Sequence, residues 1–127
     1  MNAPAPIRVL LVEDNDVYRE SLEFLLGRRD DVEVVGGVAS GSAAASACEE
    51  LGADVAVIDY RLPDSDGAEV AESVRERCPR TAIVFLSASA GQDEREAAQI
   101  AGCALVQKDQ GIDVLVSAVH AAANGPR

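Results

Sequence analysis

Five short apolar runs recur along the chain, each followed by a stretch of helical periodicity, and this alternation constrains the fold more than any other feature. The runs are residues 7–12 (Ile-Arg-Val-Leu-Leu-Val), 32–38, 55–58, 82–86 and 104–106. Runs so rich in β-branched residues, with almost no polar alternation, suit strands buried on both faces. Between them, Val17, Leu22, Leu25 and Leu26 mark a helix over residues 17–26, and the Ala-rich stretch 40–51 reads as a second helix ending at Gly52. A third helix from about 68 to 77 stops before Pro79, and a fourth over 93–101 ends at Gly102. Ile112, Leu115, Val116 and Val119 fall at i, i+3, i+4 and i+7 of a last helix, which Asn124, Gly125 and Pro126 terminate. Five βα units predict an α/β fold, a doubly wound five-stranded parallel sheet with helices on both faces. The expected domain covers residues 7–123, with a flexible tail over 1–6 and a C-terminal tail or truncated linker over 124–127.

With 127 residues, 48% hydrophobic and 26% charged, the chain has room for one soluble domain and its core. Twenty-two acidic residues against eleven basic ones leave a net charge of −11, which excludes direct contact with nucleic acid phosphates as a main role. No apolar run approaches the ~20 residues needed to cross a bilayer. The start, Met-Asn-Ala-Pro-Ala-Pro, has neither the basic end nor the apolar block of a signal peptide, so a cytoplasmic protein without a membrane partner is expected. Cys48, Cys78 and Cys103 lie far apart, without a CxxC pair, and read as small core hydrophobes rather than a zinc site or a disulfide framework.

In open α/β sheets, ligands bind beyond the carboxyl ends of the strands. The first run delivers Glu13 and Asp14 there, the third Asp59, the fourth Ser87 and the fifth Lys108. Lys108 is the only lysine, against ten arginines. Two unit charges at ~4 Å repel by about 4 kcal/mol at an effective dielectric near 20, so where three carboxylates converge either their pKa values rise or a cation joins them. Oxygen ligands alone favour Mg²⁺. A carboxylate beside such an ion and an ammonium can act as a nucleophile toward a phosphoryl group, giving an acyl phosphate.

These residues lie in four motifs: Val-Glu-Asp at 12–14, Asp-Tyr-Arg-Leu-Pro-Asp-Ser-Asp-Gly at 59–67, Leu-Ser-Ala at 86–88 and Lys-Asp at 108–109. Together they resemble the receiver domain of two-component response regulators, over residues 7–123, and the Lys-Asp pair resembles the NarL-like branch. The resemblance implies a flavodoxin-like (βα)5 fold with strand order 2-1-3-4-5. It implies Asp59 as phosphoacceptor for a histidine kinase or acetyl phosphate. Mg²⁺ would be held by Asp14, Asp59 and the Arg61 backbone carbonyl, with Glu13 acting through a water. Lys108 would pair with the phosphoryl oxygens, and Ser87 would hydrogen-bond one of them. Pro63 and Gly67 would shape the loop after Asp59. The implied output is a changed partner or homodimer surface on the last strand and its flanking helices, controlling transcription through an effector domain outside these residues.

Three positions depart from the usual pattern. Leu105 stands where the family commonly carries a switching Tyr or Phe, Arg61 places a long cation at the mouth of the site, and Ser87 replaces the commoner Thr. Two other functions share the same residues: a small Mg²⁺-dependent phosphohydrolase, and a degenerate receiver that only binds partners. Arg61, where a phosphohydrolase would need a second carboxylate, speaks against the first; the complete acidic set and Lys108 speak against the second. His120 and the run Asp93, Glu94, Arg95 and Glu96 read as solvated surface, and residues 36–41 lack the spacing of a dinucleotide loop.

Overall fold

A computed structural model describes residues 5–89 and 91–125. Its strands are β1 (Ile7–Val12), β2 (Val32–Val38), β3 (Val55–Asp59), β4 (Ala82–Ser87) and β5 (Ala104–Gln107). The helices are α1 (Asp16–Gly27), α2 (Ala44–Leu51), α3 (Gly67–Arg77), α4 (Gln92–Ala101) and α5 (Ile112–Asn124). All strand pairs are parallel, in the order β2-β1-β3-β4-β5. This is the doubly wound parallel sheet expected from the alternation of runs, in the flavodoxin-like strand order that the resemblance implies.

Successive strand side chains point to opposite faces, and the sheet divides its apolar residues accordingly. Leu10, Val12, Ile58 and Phe85 pack toward α2, α3 and α4. Val9, Leu11, Val57, Val84 and Val106 pack toward α1 and α5, against Leu22, Leu26, Leu115 and Val119. β3 is buried along its whole length, which explains why its sequence shows no polar alternation. The strand order reverses between β1 and β3, so their carboxyl ends open a crevice at the switch point.

Two expectations need adjusting. The second helix begins at Ala44, preceded by a 3₁₀ turn over Gly41–Ala43, rather than at residue 40. His120 keeps a surface position but is not unpartnered: its Nε2 lies 2.7 Å from Asp31 Oδ2, tying α5 to the loop before β2. Arg29 clamps the same carboxylate at 2.9 and 3.1 Å, and Arg29 and His120 together hold Asp31 well below the ordinary carboxylate range. Cys48 is a core residue whose thiol burial pushes up to about 12, whereas Cys78 and Cys103 are half-buried at the core margin; all three are free. Residues 1–4, 126 and 127, parts of the expected tails, lie outside the described residues, and Asn124 still belongs to α5. Among the described residues no helix is long and apolar enough to cross a membrane.

Candidate functional site

The crevice collects Glu13, Asp14, Asp59 and Lys108, with Ser87 at the end of the neighbouring strand. Glu13 and Asp14 follow β1, Asp59 ends β3, Ser87 ends β4, and Lys108 opens a 3₁₀ turn directly after β5. One carboxylate oxygen each from Glu13, Asp14 and Asp59 lie within 4.8 Å of one another. Glu13 and Asp59 are buried, and Asp14 faces solvent. A hard, all-oxygen set with one exposed member fits a divalent cation that keeps part of its water shell.

The Lys108 ammonium lies between the two buried carboxylates, 2.6 Å from Glu13 Oε1 and 3.3 Å from Asp59 Oδ2. Burial alone would lower the pKa of the amine, but the bond to Glu13 and the charge of Asp59 outweigh it and raise it. The backbone N–H of Arg61 donates to Asp59 Oδ1 at 3.2 Å, and that of Asn15 to Glu13 Oε2 at 3.0 Å. Both buried carboxylates are therefore oriented from two sides before any ligand arrives.

The loop after Asp59 is folded back on itself. Leu62 N–H donates to the Ser65 carbonyl at 3.2 Å, with Pro63 inside the turn, and Gly67 N–H donates to the Tyr60 carbonyl at 2.7 Å. Asp66 caps α3 by accepting from Glu69 N–H at 2.9 Å. Glycine is required at 67, because a Cβ there would stand 2.7 Å from Tyr60 Cδ2 and 3.0 Å from its Cα. Asp64 reaches across to the 3₁₀ turn before α2 and accepts from Gly41 and Ser42 N–H, at 3.0 Å each. These two N–H groups hold its carboxyl below the ordinary range.

Glu94 differs from expectation, and it is Arg61 that holds it. The Arg61 guanidinium pairs with Glu94 of α4, over the ring of Tyr60. Glu94 is correspondingly not a solvated residue: its side chain is 3% exposed. Burial raises its pKa, but Arg61 and nearby backbone N–H groups prevail and keep it below the ordinary value. The Ser87 hydroxyl is buried and engaged with its own loop, donating to the Ser89 carbonyl and accepting from Ser89 N–H. Leu105 lies beside Phe85 across the β4–β5 pair, half-buried on the face covered by α4.

Sequence reading missed Asp64, Glu94 and Tyr18, whose ring lies over the Lys108 ammonium at 4.5 Å. The partners of Asp64 and Glu94 lie 22 to 33 residues away, where no local pattern reports them. Tyr18 did carry a signal, since Asn15 three residues earlier is a recognisable helix N-cap.

The sequence matches the response regulator receiver domain family over residues 9–120. It is 33% identical over 126 residues to the probable transcriptional regulatory protein NarL of Mycobacterium tuberculosis, covering 96% of this chain and 57% of that protein. It is 31% identical over 111 residues to the uncharacterized transcriptional regulatory protein YhcZ of Bacillus subtilis, covering 87% of this chain and 52% of that one. The chain thus spans about half the length of these curated relatives. Among solved structures, the receiver domain of the putative response regulator NarL from Mycobacterium tuberculosis superposes with a TM-score of 0.88 at 32% identity, over 97% of this chain and 100% of that one. A LuxR-family response regulator from Aurantimonas sp. SI85-9A1 gives 0.87 at 28% identity, over 96% and 88%. Fold, motifs and relatives agree: the chain belongs to the response regulator receiver domain family, in its NarL-like branch.

Proposed function

We propose that this chain accepts a phosphoryl group on Asp59 from a histidine kinase or from acetyl phosphate. The observation that carries the reading is a buried carboxylate at the end of β3, oriented by Arg61 N–H and touched by the only lysine of the chain. An Asp59 oxygen attacks phosphorus, the bond from phosphorus to the donor breaks, and an acyl phosphate forms. Asp14, Asp59 and the Arg61 backbone carbonyl are the residues that would hold Mg²⁺, with Glu13 behind them. When bound, Mg²⁺ neutralises part of the charge gathered between the carboxylates and the incoming phosphoryl oxygens. Lys108 supplies the ammonium for those oxygens, and Ser87 exchanges its bond to Ser89 for one to the phosphoryl group.

That exchange draws on the loop between Ser87 and α4, so the response is read on α4, β5 and α5. This face is the proposed partner or homodimer surface, with Leu105 giving a smaller rotamer change than an aromatic residue would. The transcriptional relatives point to output through an effector domain, in the cytoplasm. The folded unit proposed for this role is residues 7–123. Intact-mass spectrometry after treatment with acetyl phosphate and Mg²⁺ is expected to show one phosphoryl adduct, absent in Asp59→Asn. An adduct that survives this substitution overturns the assignment.

Arg61 bears on the lifetime of the adduct. Its ion pair with Glu94 ties the loop after Asp59 to the first turn of α4. Arg61→Ala frees that loop and gives water easier access, so the dephosphorylation half-life is expected to shorten about two- to fivefold, the scale of an ion pair with one exposed end. Loss of radiolabel from the isolated phosphoprotein measures it, and a half-life equal to wild type rejects the role.

A further inference from the structure

Four residues at the crevice close into a ring of contacts. Glu13 Oε2 accepts from Asn15 N–H, and Asn15 Oδ1 accepts from Tyr18 N–H at 2.9 Å. The Tyr18 ring covers the Lys108 ammonium at 4.5 Å, and that ammonium returns to Glu13 Oε1. Two donor directions of the ammonium are taken by Glu13 and Asp59, and the aromatic face covers it from α1. Tyr18 is half-buried against the apolar layer beneath α1, so its ring is fixed by packing as well as by the N-cap bond on its backbone.

From this closed ring we infer that Tyr18 is a positioning residue for Lys108. A lysine has four rotatable carbons and a strongly hydrated head, and nothing in its own covalent structure keeps it in the crevice. An aromatic face attracts the ammonium without consuming a hydrogen-bond donor. Lys108 can therefore transfer its N–H groups from carboxylates to phosphoryl oxygens while remaining in place. A salt-bridging residue at position 18 could not do this, because it would compete for the same donors. The contact that fixes the ammonium is with the ring face, so the role is assigned to the ring.

The consequence for phosphorylation rests on the receiver reading above; the contact itself does not, and the two are tested separately. Because Lys108 is the only lysine, lysine-labelled protein gives one side-chain NMR spin system. Its ε-methylene protons are expected to shift upfield from free-lysine positions in wild type and in Tyr18→Phe. They are expected to return to those positions in Tyr18→Leu, which keeps an apolar side chain in the packing. With acetyl phosphate and Mg²⁺, Tyr18→Leu is expected to form the Asp59 adduct about three- to tenfold more slowly, the scale of a partly desolvated cation–π contact. Tyr18→Phe is expected to remain within about twofold of wild type, since the aromatic face is retained. Circular dichroism melts report whether each variant is folded. A wild type without the upfield shift, a folded Tyr18→Leu with the wild-type rate, or a Tyr18→Phe as slow as Tyr18→Leu each overturns the inference. A wild type that takes up no phosphoryl group overturns the receiver reading instead, and the NMR shift still decides the contact.

Discussion

Lys108→Ala is expected to slow phosphorylation of Asp59 by about 10²–10³-fold, the range found when one preorganised donor to a developing anion is removed. Other cations near the crevice are already engaged. Arg61 is paired with Glu94, and Arg19 donates to the Glu13 carbonyl at 2.7 Å and to Asp16 at 2.7 Å. The variant also leaves Glu13 and Asp59 facing each other without the ammonium between them, so a divalent cation gains a vacated partner. Mg²⁺ affinity is expected to rise in the same variant in which the reaction slows. Initial rates of adduct formation and calorimetric Mg²⁺ titration read the two effects, and their opposite signs separate loss of the ammonium from simple unfolding. Lys108→Arg is not expected to restore the rate, because a planar guanidinium does not fit a place shaped for a compact ammonium. A wild-type rate in Lys108→Ala removes the lysine from the mechanism.

The largest effect on stability is expected at Phe85. It is fully buried in β4, and its ring meets that of Tyr60 edge-on, with centroids 5.7 Å apart and an interplanar angle of 81°. The third member of this contact is Gly67, where a Cβ would come within 3.2 Å of Phe85 Cε1. The backbone that opens α3 therefore lies directly against both rings. Phe85→Ala removes the ring from a place that cannot collapse without moving the strand, and is expected to cost about 3–5 kcal/mol. For a domain of this length that corresponds to a drop in Tm of roughly 10–20 °C. Phe85→Leu, which keeps most of the volume, is expected to cost less than about 1.5 kcal/mol. Thermal melts distinguish the two, and equal losses would mean that ring packing is not what Phe85 contributes.

The sheet was legible because strands buried on both faces leave continuous apolar runs, and Asp59 was legible because it ends such a run abruptly. Lys108 was legible as a solitary lysine in an arginine-rich chain. Arg61 was visible as an anomaly, yet its destination was not, since a side chain that long can reach partners on several elements. Glu94 and His120 show the same limit from the other direction. Glu94 sits in a polar run and His120 is a lone polar group on an apolar helix; each reads as solvated, and each is held by a charged residue distant in sequence, Arg61 and Asp31. Local periodicity predicts which face of an element is apolar, but it carries no information about ion pairs between elements.

The bond from Asp64 to Gly41 and Ser42 has a consequence for how the domain opens. Neither the 3₁₀ turn nor α2 has a side-chain cap of its own, so the free amides at their start depend on a carboxylate that arrives with the loop after Asp59. Helix start and loop then form one cooperative unit, in which neither keeps its protection once the other has opened. In native-state hydrogen exchange, the amides of Gly41 and Ser42 are expected to share an opening free energy with Leu62 and Gly67, whose N–H groups close the loop. Asp64→Ala is expected to expose the first pair while leaving β1 and β3 protected. A motion of the loop after Asp59 is thereby tied to the start of α2, toward the β2 edge of the sheet and away from the β5 edge, which α4 and α5 flank from its two faces.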